Sequence, residues 1–146
     1  LLQAPEAARP APAIHEVPVC YEPDFAPDLP DVARACGLSP EAVISAHLAG
    51  VYEVGMYGFA PGYAYLSGVP EAIRLDRKPS PKRGVTAGSV IIAGPQCLVT
   101  TLTMPTGWWI IGHSPLQILT GNAARPFLFE VGDRIVFRRI AAGALP

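Results

Sequence analysis

Ala87-Gly88-Ser89-Val90-Ile91-Ile92-Ala93-Gly94-Pro95-Gln96-Cys97-Leu98-Val99-Thr100-Thr101-Leu102 is the stretch on which the fold turns. Val90, Ile91 and Ile92 form a short apolar run between two glycine turns, and Leu98 to Leu102 is a second run with β-branched residues. Short runs bounded by Gly and Pro read as strands. The same punctuation repeats outward. Trp108 to Ile111 lies between Gly107 and Gly112, followed by Leu116 to Leu119, and Gly132-Asp133 turns into Arg134 to Arg138. Upstream, Tyr52 to Tyr57 reads as a strand. His15 to Tyr21 alternates, with Val17, Val19 and Tyr21 on one face and Pro18 favouring an edge. Two short helices stand between these strands. Asp28 can cap the first and Gly37 stop it; Ser39 can cap the second, with Pro40 at its first position and Gly50 as its stop. Val43, Ile44, His47 and Leu48 form the apolar stripe of the second helix. The expected fold is mainly β: a small closed β-barrel with two short helices near the N-terminus.

Composition agrees. Of 146 residues, half are hydrophobic, so the chain can bury a core. Pro (17) and Gly (14) suit many short strands and argue against a helical bundle. Only 16% of residues are charged, so part of the surface is expected to sit against a partner or another piece of the same protein. A net charge of -1 argues against a dedicated nucleic-acid or anionic-membrane binder. Cys20, Cys36 and Cys97 are an odd number at wide spacing, which reads as reduced thiols in a cytoplasmic protein. His15, His47 and His113 have no metal-ligand spacing, so no metal site is expected. No apolar run reaches the ~20 residues of a membrane span. Residues 1–13 are rich in Ala and Pro and read as a linker or arm; 14–140 read as one domain and 141–146 as a loose tail. A chain that opens on Leu1 is expected to be a fragment or a processed product.

Asp31 to Val43 has the spacing of a DNA-binding helix-turn-helix, but Pro40 to Gly50 contains no Lys or Arg to meet phosphates or guanine. Two packed helices beside a barrel are the better reading. Gly58-Phe59-Ala60-Pro61-Gly62-Tyr63-Ala64-Tyr65-Leu66 is a proline-stiffened loop whose aromatics either line a pocket or plug the core. Arg74 to Arg83 holds five of the eleven basic residues. Such a run is a solvated loop or a receiver for a carboxylate or phosphate, with Arg83 beside Gly84 the best candidate. Gln96 offers a neutral amide donor and acceptor. Alternation puts Trp108 and Trp109 on opposite faces of one strand, one in the core and the other exposed or at an interface. His113 can act as an acid or base.

Four segments carry a resemblance: HEVPVCYEPDFAPDLPDVA (His15 to Ala33), GFAPGYAYL (Gly58 to Leu66), AGSVIIAGPQ (Ala87 to Gln96) and GWWIIGHSPL (Gly107 to Leu116). In this order they resemble the carboxyltransferase domain, subdomain C and D, family, over about Ile14 to Ile140. Its members include allophanate hydrolase subunit 1, a 5-oxoprolinase subunit, the KipI kinase inhibitor and a segment of urea carboxylase. The resemblance implies a cyclophilin-like barrel, preceded in the family by a smaller α/β domain. It also implies a partner, a KipA-like or allophanate hydrolase subunit 2-like protein or domain, and in 5-oxoprolinases a third subunit. The implied role is one subunit of a two-component amide-processing enzyme, inactive alone. No cofactor is expected on this domain itself; ATP or carboxybiotin enters at the level of the complex.

By motif position, an inter-subunit cleft would be lined by Phe59, Pro61, Tyr63, Arg83, Gln96, Trp108 and His113. Arg83 and Gln96 would polarise an amide or urea carbonyl. The chain departs from the family pattern at Thr86, at Cys97 to Thr101 and at His113. At His113 the family usually has Arg, so a fixed cation and its fork of donors are replaced. A second reading is a KipI-like module that inhibits a sensor histidine kinase through the same aromatics. A third, a prolyl isomerase, lacks that enzyme's active-site motif.

Overall fold

The computed structural model describes residues 12–58, 62–120, 123–124 and 127–145. Nine strands run in chain order as β1 (Ile14–Cys20), β2 (Tyr52–Tyr57), β3 (Ala64–Ser67), β4 (Lys82–Val85), β5 (Ser89–Ala93), β6 (Gln96–Val99), β7 (Met104–Thr106), β8 (Trp109–His113) and β9 (Arg134–Ile140). Helices α1 (Leu29–Cys36) and α2 (Pro40–Ala49) lie between β1 and β2. Seven strands close a barrel in the order β1-β8-β5-β6-β3-β2-β9, and β4 and β7 form a separate ribbon. Every barrel pair is antiparallel except β1 and β9, whose parallel register runs from Ile14↔Arg134 to Cys20↔Ile140. Closure leaves no barrel edge to template aggregation.

Alternation along the strands builds the core. Val17, Val19, Tyr52, Val54, Leu66, Val90, Ile92, Val99, Ile111 and Ile135 from the barrel strands meet in one buried cluster. Val32 and Ala33 of α1 and Val43 and Ile44 of α2 join it, so the helices pack on the barrel interior. The opposite faces of β5 and β6 are buried as well. Ile91, Ala93 and Leu98 pack with Tyr63, Val85 and Trp108 in a second cluster beneath the ribbon. All five residues of β5 are therefore buried. The tryptophans do part to opposite faces: Trp108 enters the second cluster and Trp109 packs against the first.

Local chemistry explains the helix ends and corrects one expectation, the Asp28 cap. Gly37, at φ 69°, ends α1 with its N–H on the Ala33 and Arg34 carbonyls. Ser39 Oγ accepts from the Ala42 N–H at 3.1 Å and starts α2. Asp28 precedes α1, but its side chain makes no cap; its carboxylate is engaged elsewhere. Gly50 ends α2 as expected, and does so in an extended conformation, φ -74°. Glycine is needed there because a Cβ would lie 2.8 Å from the Tyr52 ring.

The strands also shift from expectation. Leu98 to Leu102 is replaced by Gln96–Val99, because Gly94 (φ 55°) and Pro95 make a two-residue hairpin that pairs Ala93 with Gln96. Leu116 to Leu119 is not a strand; Leu119 makes a single bridge to Phe127. Ala64–Ser67 and β4 form where loops were expected, and β7 pairs with β4. Residues 1–11 of the expected arm lie outside the described residues. At the other end Ala142–Ala144 make one 3-10 turn, and the Ala142 N–H donates to the Glu22 carboxylate at 2.6 Å. Among the described residues no helix is long and apolar enough to cross a membrane.

Candidate functional site

His113 closes β8, which lies between β1 and β5, so the ring stands at the barrel rim opposite Cys20 and Ser89. It opens on a cavity of about 370 Å³ walled by Phe25, Gly88, Thr100, Ser114 and Leu145. A second cavity of about 200 Å³, with Asp24, Lys82, Thr86 and Ser89, shares Phe25 and His113 with the first. The two rings, 5.7 Å apart and tilted by 42°, stand between the cavities. Burial lowers the His113 pKa, so the ring is neutral near pH 7. A neutral imidazole beside a cavity can accept a proton on one nitrogen and donate from the other.

A backbone frame positions this ring. The Ser114 N–H donates to the Gly88 carbonyl, and the Gly88 N–H to the Thr100 carbonyl, each at 2.7 Å. The Thr86 carbonyl accepts from Ser89 Oγ (2.8 Å) and Thr100 Oγ1 (3.0 Å). Gly88 has φ 91°, and a Cβ there would sit 2.7 Å from His113 Cε1 and from the Ser114 carbonyl. The turn before β5 and the end of β8 therefore approach so closely that only glycine fits.

A third cavity, of about 180 Å³, lies on the second cluster. Its walls include Tyr63, Tyr65, Trp108, Arg77, Ile91 and Leu98. Tyr65 meets Trp108 edge to face at 5.9 Å, and the Arg77 guanidinium lies 5.9 Å from the Trp108 ring centre. Thr100 lines both this cavity and the larger one beside His113.

The expected single cleft is divided. Tyr63 and Trp108 share the aromatic cavity, and His113 stands in the other two. Arg83 is exposed on β4 between Lys82 and Gly84 of the smaller rim cavity and lines none of the three. Gln96 also lines none of them, and the reason is register. It pairs with Ala93 at one end of β5, whereas His113 pairs with Ser89 at the other. Four residues of strand separate them by about 13 Å. Phe59 and Pro61 lie outside the described residues. The sequence does not single out Gly88, Thr100, Ser114 or Arg77. Adjacency to His113 is the one sequence signal that points to Ser114; Thr100 has none, because its role depends on how β5, β6 and the Thr86 turn pack.

A pairing that resembles a thiol–imidazole catalytic dyad occurs inside the barrel and is inert. Cys97 Sγ lies 3.5 Å from His47 Nε2, and Tyr21 Oη lies 2.6 Å from His47 Nδ1, all buried. Burial raises the Cys97 and Tyr21 pKa values and lowers that of His47 to about 3, so all three stay neutral. Among the described residues no three His, Cys, Asp or Glu side chains gather as a metal site.

The profile of the carboxyltransferase domain, subdomain C and D, matches residues 1–129. The chain is 45% identical to a 5-oxoprolinase subunit from Bacillus subtilis over 128 residues, which is 88% of this chain and 53% of that protein. It spans about half the length of that relative. The crystal structure of the conserved uncharacterized protein PH0987 from Pyrococcus horikoshii superimposes with a TM-score of 0.84 at 39% identity, covering 89% of this chain and 60% of that one. The K. lactis urea amidolyase shares the fold at a TM-score of 0.76 and 15% identity, over 90% of this chain and 10% of that enzyme.

Proposed function

The chain belongs to the carboxyltransferase domain, subdomain C and D, family, and from that premise we propose that it is the barrel portion of a 5-oxoprolinase subunit. The observation that carries this reading is the 45% identity over most of the chain to the Bacillus subtilis protein. The proposed reaction opens the ring amide of 5-oxoproline: water adds to the carbonyl carbon, the C–N bond breaks and glutamate is released. ATP hydrolysis in the assembled complex drives it. A KipA-like subunit forms the other wall of the site, and a third subunit completes the complex. The rim around His113 is the face offered to that partner. Two cavities meeting at a neutral imidazole support this placement. In this reading His113 accepts the proton of the attacking water and returns it to the ring nitrogen. Arg83, exposed beside the rim, meets the partner or the developing oxyanion from outside the cavities. Three free cysteines fit a reducing, cytoplasmic setting.

The test is a chimera. The matching segment of the Bacillus subtilis relative is replaced by this chain and assembled with that enzyme's other subunits. Phosphate release that depends on 5-oxoproline supports the reading. A soluble chimera that assembles and shows no such release overturns it. In the active chimera Arg83→Ala is expected to lower turnover about tenfold, and unchanged turnover removes Arg83 from the site.

A further inference from the structure

We propose that the Arg77–Trp108 cavity is the subsite that takes the carboxylate and flat ring of the substrate, a small cyclic amide acid. The inference rests on the 5-oxoprolinase reading for its substrate class, and on geometry for its place. A cyclic amide acid carries one full negative charge and one small planar ring. Of the three cavities, the largest is lined by no Asp, Glu, Lys or Arg, and the smaller rim cavity sets Lys82 against Asp24. The aromatic cavity alone carries one unopposed charge, and it is positive: Arg77 lines it with no Asp or Glu. Arg77 makes no ion pair among the described residues, so its fork of donors is available to a carboxylate.

The backbone on either side of Arg77 is anchored. The Asp76 carbonyl accepts from Trp109 Nε1 at 2.7 Å. The Lys78 N–H donates to the Gly107 carbonyl at 2.7 Å, and Lys78 Nζ to Asp28 at 2.8 Å. Both flanking residues are anchored, which fixes the backbone at Arg77, and the exposed side chain reaches over the Trp108 ring at 5.9 Å. The rest of the wall suits a ring. Tyr65 and Trp108 stand edge to face, with Ile91 and Leu98 beneath. Thr106 Oγ1 accepts from the Trp108 N–H at 3.1 Å and keeps its own proton to donate to the ligand carboxylate. A volume of about 180 Å³ suits one small molecule rather than a peptide segment. Thr100 lines both this cavity and the His113 cavity, so the two adjoin at that residue.

The test is tryptophan fluorescence of the Trp109→Phe chain, which leaves Trp108 as the reporter, titrated with L-5-oxoproline. Calorimetry on the unsubstituted chain repeats the measurement without that change. Saturable binding is expected. Arg77→Ala should weaken it about ten- to hundredfold, Arg77→Lys less, and exposed Arg34→Ala not at all. 2-Pyrrolidone, which has the ring without the carboxylate, should bind as weakly to the unsubstituted chain as L-5-oxoproline binds to the Arg77→Ala chain. Absence of saturable binding, an unchanged Arg77→Ala chain, or equal binding of 2-pyrrolidone each overturns the subsite. The chimera separates the two readings. Turnover with a KM unmoved by Arg77→Ala removes the subsite and keeps the function. Arg77-dependent binding without turnover keeps the subsite and removes the function.

Discussion

His47 is fully buried, stacked on Phe137 with ring centres 4.4 Å apart, and bonded through both ring nitrogens. Its folded pKa, about 3, lies below the 6.5 of a free histidine because burial penalises the cation. Between those values the unfolded chain binds a proton that the folded chain does not. The stability His47 contributes is therefore present above pH 6.5 and lost as pH falls toward 3, at up to about 1.4 kcal/mol per pH unit. Urea midpoints between pH 7.5 and 4.5 should fall below about pH 6.5, and a flat profile would contradict this burial. Its neighbour Cys97 should resist thiol reagents until the chain unfolds, as should Cys20, whereas half-buried Cys36 should react first. Mass mapping of the labelled cysteines checks the order. At the rim, His113→Gln should lower chimera turnover by roughly 10² or more without moving the urea midpoint by much, because the ring is only partly buried.

Asp28 shows what one carboxylate does for three elements. It precedes α1, accepts from the Ile110 N–H of β8 at 2.8 Å, and pairs with Lys78 at 2.8 Å. Both side chains are largely shielded, at 13% and 12% exposure. Asp28→Ala strands a buried ammonium and a strand N–H, so it should cost about 2–4 kcal/mol. Lys78→Met should cost less, because Asp28 keeps its bond to Ile110. Equal losses in urea unfolding would refute that division. Asp133 plays a similar part for β1 and β9. Its carboxylate accepts from the Ala13 N–H (3.1 Å), His15 Nε2 (2.8 Å) and the Glu130 N–H (2.9 Å). Burial works to raise its pKa, but the bonds from Glu130, His15 and Ala13 outweigh it and the net shift is downward. This tie is therefore fully present above the ordinary carboxylate range and is lost as pH falls below it, whereas the His47 contribution begins to fall near pH 6.5.

Across the whole molecule, burial is uneven. Strand β5 is covered on both faces, by the barrel interior and by the second cluster, while Lys82 and Arg83 of the ribbon are exposed. Amide exchange should be slowest at Val90 to Ile92 and fastest in the ribbon. Comparable rates would mean that ribbon and barrel open as one unit.

The elements are legible in the sequence where local chemistry decides them: the capped helix at Ser39, the glycine stop at Gly37, the alternation of β1 and the apolar run of β5. The barrel is legible only as a class, not by its seven strands, because β3 is short and hidden in an aromatic loop; of the separate ribbon, β4 begins in a basic run. The site is partly legible. His113, Tyr63 and Trp108 line cavities, but motif position groups Gln96 with His113 and the hairpin register sends them to opposite ends of β5. The four collinear motifs point to the family by order and identity alone. The joining of Gly88, Thr100 and Ser114 around His113, and of Arg77 with Trp108, was decided only when the barrel closed. Periodicity and turn residues act over a few positions. Strand order is set by contacts between distant ones, such as Ala13 with Asp133, 120 residues apart, and no local pattern encodes which wall will face which.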